Sequence, residues 1–168
     1  MKSILLKTEI CTGIKNILDK KANYSAFKDL IYINKGCLYV TSGKIALKFE
    51  NIETALSGVY KIFKIEKVNK IQSEIFVEIE TQIQYPNIEQ IFDLPKSEKE
   101  ITLLTESSLS ISAAIINIYS TFGLPMDYIL LDKLSFVKNW YCSNPVKDIL
   151  FVTNSDLYVS GVVLPFKM

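Results

Sequence analysis

Asp148-Ile-Leu-Phe-Val-Thr-Asn-Ser-Asp-Leu-Tyr-Val-Ser-Gly-Val-Val-Leu-Pro-Phe-Lys-Met168 holds two apolar runs around a polar turn, Thr153-Asn154-Ser155-Asp156. That pattern predicts a β-hairpin. The second run stays apolar through Leu164, Pro165, Phe166 and Met168, with Lys167 its only charged side chain. Chain ends ordinarily fray, so an end this apolar is expected to pack into the fold or to line a pocket.

Upstream, Pro125 suits the first turn of a helix, with Ile129, Leu130, Leu134 and Val137 turned inward. Ile101–Thr105 and Leu109–Ile115 read as a hairpin around Glu106-Ser107-Ser108. Ile111, Ala114, Ile115 and Ile118 also fit a helical period over 109–121. The alternation in Ser108-Leu-Ser-Ile-Ser112 and the β-branched run favour strands. Pro86 to Glu100 has two prolines and a cluster of charges, and divides the chain into segments 1–95 and 96–168.

In the first segment, Met1–Lys7 reads as a strand. Thr8–Lys21 follows as an amphipathic helix with Ile10, Ile14, Ile17 and Leu18 on one stripe and Thr8 as N-cap. Lys15, Asn16 and Asp19 fall on its outer face. Phe27–Asn34, Cys37–Thr41 and Lys44–Glu50 form a meander broken by Asn34-Lys35-Gly36 and Ser42-Gly43. Leu30 and Tyr32 alternate with Ile31 and Ile33, which predicts cover on both faces. Val59–Ile65 is a strand, Glu66–Ser73 a weak helical turn, and Ile75–Gln84 a strand with Glu78 and Glu80 on its solvated face. The class is α+β, mostly antiparallel with few helices and a loose internal duplication.

Composition narrows function. The chain has 168 residues, 49% apolar, with a formal charge of +1. No apolar run approaches the length of a membrane span, so a soluble cytoplasmic protein is expected. Residues 1–50 carry nine lysines against four acids, and 51–106 six against ten. All nineteen basic residues are lysine, and histidine is absent. Imidazole acid–base or metal chemistry and bidentate guanidinium recognition are thereby excluded.

The three cysteines, Cys11, Cys37 and Cys142, fit neither a disulfide framework nor a zinc site. Thr41-Ser42-Gly43-Lys44 fails as a phosphate loop, because the glycine spacing is wrong and Ile45 follows the lysine. Asp127, Asp132, Asp148 and Asp156 lack EF-hand spacing. A non-enzyme without cofactor or metal is expected.

Three segments together resemble the bacterial DNA polymerase sliding clamp, the β-type processivity factor. Gly36-Cys-Leu-Tyr-Val-Thr-Ser-Gly-Lys-Ile-Ala-Leu47 is similar to the family's turn between strands. Tyr85-Pro-Asn-Ile-Glu-Gln-Ile-Phe-Asp-Leu-Pro95 resembles the segment that closes a clamp domain. Val163-Leu-Pro-Phe-Lys-Met168 resembles the family's ending, and Tyr128-Ile-Leu-Leu-Asp-Lys-Leu134 the helix before it.

The resemblance implies two trimmed tandem clamp-like domains, 1–95 and 96–168, the second without its leading helix. It implies a pocket for short linear peptides of polymerases or other replication proteins. Its walls would be Thr41, Gly43, Lys44, Ile45 and Pro95, with Leu164, Pro165, Phe166, Lys167 and Met168 opposite. Lys15, Lys20 and Lys21 would face duplex phosphates without reading bases, in a homo-oligomer that does not contact membrane. The family's Asp, His and Arg are here Ser42, Lys44 and Ile45. An interaction module of the same fold with no DNA role is the alternative, and an enzyme of unrecognised type a third.

Overall fold

Burial along Lys2–Lys7 (β1) alternates, with Ile4 and Leu6 inside. Thr8–Ile17 (α1) then lays Ile10, Cys11, Ile14 and Ile17 on the same face of the sheet. The computed structural model describes residues 1–19, 27–95, 97 and 99–165. The expected reach of α1 to Lys21 therefore falls partly outside the described residues, and its described end is Ile17. Thr8 is not the cap. Lys7 holds that position without a side-chain bond, and the Thr8 hydroxyl lies 3.2 Å from that of Ser73.

Leu30–Asn34 (β2), Cys37–Thr41 (β3) and Ile45–Phe49 (β4) form the expected meander. Ile31 and Ile33 join the helix-side core while Leu30 and Tyr32 face a second cluster. Cover on both faces is thus observed. Gly58–Lys67 (β5) and Gln72–Ile79 (β6) pair as a hairpin, so residues 66–73 are not a helical turn. The Asn69 carboxamide oxygen accepts from the Ile71 and Gln72 amides, each at 2.9 Å, and closes a tight turn instead.

In the second segment Glu100–Leu104 (β7) is a strand as expected, and Ser108–Phe122 (α2) is a helix where a strand was expected. Alternation over 108–112 is compatible with either period, and the ends decide. The Ser107 hydroxyl accepts from the Ser110 amide at 3.1 Å, and Gly123 terminates the helix at φ 69°. Ile111, Ala114 and Ile118 are then buried on one side. The second segment therefore does have a leading helix.

Pro125 precedes rather than opens the next helix, Tyr128–Asp132 (α3), whose cap is the Asp127 carboxylate. Leu130, Leu134 and Val137 are buried as expected, but Ile129 faces outward. Asn139–Ser143 (β8) went unrecognised in the sequence. Leu150–Asn154 (β9) and Val159–Val163 (β10) are the expected terminal hairpin.

Among the described residues ten strands make one sheet, ordered β1-β6-β5-β2-β3-β4-β10-β9-β8-β7, with every pairing antiparallel. Two βαβββ units are visible in it. One is β1-α1-β2-β3-β4, with the β5–β6 hairpin inserted between β1 and β2. The other is β7-α2-α3-β8-β9-β10. Their last strands pair across the middle, with Leu47 opposite Gly161.

Two glycines mark the places where the units meet. A Cβ on Gly161 would lie 2.8 Å from both Leu47 and Val152, and one on Gly13 2.8 Å from the Phe136 ring. Hydrogen bonds reinforce the contact: the Lys133 ammonium donates to the Asn16 carbonyl at 2.9 Å, and the Asn16 amide returns one to the Lys133 carbonyl at 3.2 Å. Asn16 is therefore not on a purely solvated face. Gly161→Val is expected to cost about 1–3 kcal/mol through overpacking at this seam. Ser160→Val, one residue away, should stay within about 1 kcal/mol. Urea midpoints of the two variants check the contrast.

Candidate functional site

The helices occupy one face of the sheet, and the candidate site lies on the other. Between β3 and β4 the turn at Ser42–Lys44 is tied by its own side chains. The Thr41 hydroxyl donates to the Ile45 carbonyl at 3.0 Å and accepts from the Gly43 amide at 3.0 Å. The Ser42 hydroxyl accepts from the Ile45 amide at 3.3 Å. Gly43 sits at φ 87°, which a side chain would oppose. Thr41 and Ile45 are buried, whereas Gly43 and Lys44 are exposed; the Ile45 side chain belongs to the helix-side core and not to the outer face where the resemblance put it.

The end of β10 is fastened to this turn. Val163 pairs with Ile45, and the Leu164 amide donates to the Lys44 carbonyl at 2.9 Å. Leu164 is exposed and Pro165 partly so. The mid-chain bend reaches the same region through a 3-10 turn, Glu89–Phe92, that packs against β10. The Phe92 ring lies 5.9 Å from that of Tyr39. Pro95 is exposed at the end of the bend, and no hydrogen bond ties it to the turn among the described residues. Phe166, Lys167 and Met168, like Lys20 and Lys21, lie outside the described residues.

The sequence reading missed the aromatic floor. Phe27, Tyr32, Tyr39, Tyr85 and Phe92 form a chain of rings with successive centroids 5.5–5.9 Å apart. Offset or tilted rings at this spacing attract edge to face. The signal was the Leu30/Tyr32 alternation, which announced a covered outer face without naming its cover. Beside it opens a cavity of about 330 Å³, lined in part by Tyr32, Val59, Ile83, Tyr85 and Pro86. Glu89 borders this cavity, and a hydrogen bond from the Asn34 amide at 2.6 Å holds its carboxyl below the usual carboxylate range.

On the helix side, Lys15 and Glu9 are exposed on α1, and Asp19 just past its end. α2 carries no charge, and α3 contributes exposed Asp132, with the buried Lys133 as its C-cap. Burial lowers the Lys133 pKa, and Asp19 partly opposes that. Glu78 and Glu80 are a solvated or half-solvated pair near the end of β6, as expected. Among the described residues no cluster of three or more His, Cys, Asp or Glu could hold a metal. The thiols are free, with Cys11 and Cys142 buried. No described helix is long and apolar enough to cross a membrane.

A continuous antiparallel sheet of two βαβββ units with its helices on one face is the fold of DNA sliding clamps, and this chain has that clamp-like fold. The chain is similar to a candidate DNA polymerase III beta subunit from Eubacterium rectale, at a TM-score of 0.53 and 9% identity over 99% of this chain and 65% of that one. It is also similar to DNA polymerase III subunit beta from Borrelia burgdorferi, solved with a natural product. There the TM-score is 0.52 and the identity 12%, over 100% of this chain and 63% of that one. The chain thus spans somewhat less than two thirds of the length of both. No family model and no curated protein matches the sequence.

Proposed function

We propose that this chain is a non-catalytic, clamp-like protein of DNA replication that works in the cytoplasm. It takes a short linear peptide of a polymerase or other replication protein on its outer face. Thr41, Gly43 and Lys44 form one wall, with Ile45 fastening their turn from the helix-side core, Leu164 to Met168 the other wall, and Pro95 the rim. Segments 1–95 and 96–168 act as its two clamp-like halves. The observation that supports this most is the hydrogen bond from Leu164 to Lys44, with the Glu89–Phe92 turn packed on the same strand β10. The bond ties an early turn to a late strand end that the mid-chain bend also touches, which supports reading the three as the edges of a groove for an extended peptide.

Fluorescence anisotropy with a labelled clamp-binding peptide from a bacterial replicative polymerase tests the reading. Binding with a Kd on the order of 10 μM is expected, and Leu164→Asp should raise it at least about tenfold. The exposed side chain changes while the backbone bond stays. Absence of binding by the unaltered chain, or equal binding by the variant, removes the peptide site.

DNA contact would rest on Lys15, Lys20 and Lys21. The charges of the described helices favour the second reading, an interaction module without DNA work. Their exposed groups are Lys15 against Glu9 and Asp132, with Asp19 just past the end of α1, a poor match for phosphates. A ring that slides on duplex DNA would be retained on closed circles and lost from linearised ones. Equal behaviour on both forms selects the module.

A further inference from the structure

α2 is a fifteen-residue helix without a charged residue, and the neutral stretch runs from Ser107 to Met126. Its sheet side is Ile111, Ala114 and Ile118. The opposite side presents Leu109 at 81% exposure, Ile116 at 68% and Tyr119 at 57%, with Ser112, Ala113 and Ser120 between them. α3 packs against α2 and adds Tyr128 and Ile129, the latter 60% exposed. A helix at the surface of a soluble domain ordinarily turns charged residues to water, and one that is apolar on both sides is covered on both sides.

We infer that this face is a self-association surface, packed in the assembled protein against the same face of a second copy. Eighteen acidic and nineteen basic residues are spread over the rest of the chain. An isologous contact sets each patch against its own image, so a charged patch would repel itself and this one does not. Nucleic acid, or a peptide selected by charge, finds no group here to pair with.

Area agrees with that occupant. The exposed parts of the five large side chains sum to on the order of 600 Å², and the small residues between them bring the face close to the roughly 800 Å² per partner of a stable interface. Ser112, Ala113 and Ser120 leave grooves beside Leu109 and Ile116 into which the partner's ridges fit. The inference does not rest on the peptide reading, because the cradle at Thr41–Ile45 lies on the other face of the sheet and stays open in such a dimer.

Sedimentation equilibrium over a dilution series tests it, on the full chain and on a Leu109→Asp, Ile116→Asp double variant. A dimer that dissociates on dilution is expected for the unaltered chain. In the variant, two carboxylates forced into a dry contact should raise the dimer Kd at least about 100-fold. Both residues are exposed in the single chain, so its circular dichroism and thermal midpoint should hold. A conservative Ile116→Leu variant should still dimerise.

A chain that stays monomeric at every concentration overturns the inference, as does a dimer that the double substitution leaves intact. It is equally overturned if the monomer binds neutral phosphatidylcholine vesicles or duplex DNA and the double variant does not. That outcome gives the face to another occupant.

Discussion

Trp140→Ala is expected to cost about 3–5 kcal/mol of unfolding free energy, a large part of the 5–15 kcal/mol typical of a domain. Trp140 is 1% exposed, and its indole N–H donates to the Leu134 carbonyl at 3.0 Å. Its ring meets Phe136 edge-on at 5.5 Å, and Phe136 in turn meets Phe49 at 6.2 Å. Phe136 is also the ring for which Gly13 leaves room. Removing the indole thus opens a cavity where β4 and α1 of the first unit contact the second, and strands one buried carbonyl.

Trp140→Phe separates these effects. It keeps most of the volume and loses the donor, so a cost of about 1–3 kcal/mol is expected. Urea denaturation of the two variants gives the comparison. A loss below about 1 kcal/mol for the alanine variant would show that this core collapses around the gap and does not join the units.

Alkaline pH should destabilise the protein over a predictable window. Burial pushes the Cys11 thiol up to about 11, Lys15 opposing weakly, and burial alone pushes Cys142 up further. Burial likewise raises the Tyr85 phenol, and it raises Tyr39 with help from neighbouring Cys37 and Glu89. These acids stay protonated in the folded chain, whereas the unfolded chain releases its thiol protons near 9.0 and its phenol protons near 10.0. The folded state therefore holds more protons. The stability they contribute is complete below the unfolded values and is lost as pH rises toward the folded ones.

Each group contributes a slope of about 1.4 kcal/mol per pH unit inside its window. Lys133, lowered by burial, acts with the opposite sign but is a single group. Thermal midpoints from about pH 8 to about pH 11 should fall steeply above pH 9, and Cys11→Ala with Cys142→Ala should flatten the fall. A midpoint unchanged across that range contradicts the buried, neutral state of these groups.

Local pattern carried much of the fold. Period-two alternation with Gly and Asn turns located the β2–β3–β4 meander to within a residue or two of most ends, and the helical stripe of Ile10, Ile14 and Ile17 located α1. It failed where two periods coexist. Ser108-Leu-Ser-Ile-Ser112 alternates like a strand, yet Ile111, Ala114 and Ile118 also share a helix face, and only the caps at Ser107 and Gly123 separate the two. β8 escaped because Asn139, Tyr141 and Ser143 surround Trp140 and Cys142 too briefly to register as a period. Of the candidate site, the residues of the turn and the strand end were legible, while the aromatic floor was not. Its rings come from two distant stretches, 27–39 and 85–92, and nothing in either stretch says that they meet.

By itself, then, the sequence determined an antiparallel α+β chain without imidazole or guanidinium chemistry, because those properties follow from spacing and composition. Tertiary structure alone decided that β4 pairs with β10 and that α2 turns an uncharged side to solvent. It also decided that Lys44 meets Leu164. Apolar burial is non-directional: a strand's pattern says which face must be covered and leaves open what covers it. That choice falls to shape, here to the absent side chains of Gly13 and Gly161, whose bare backbones admit Phe136 and Leu47 and so bring the two units together.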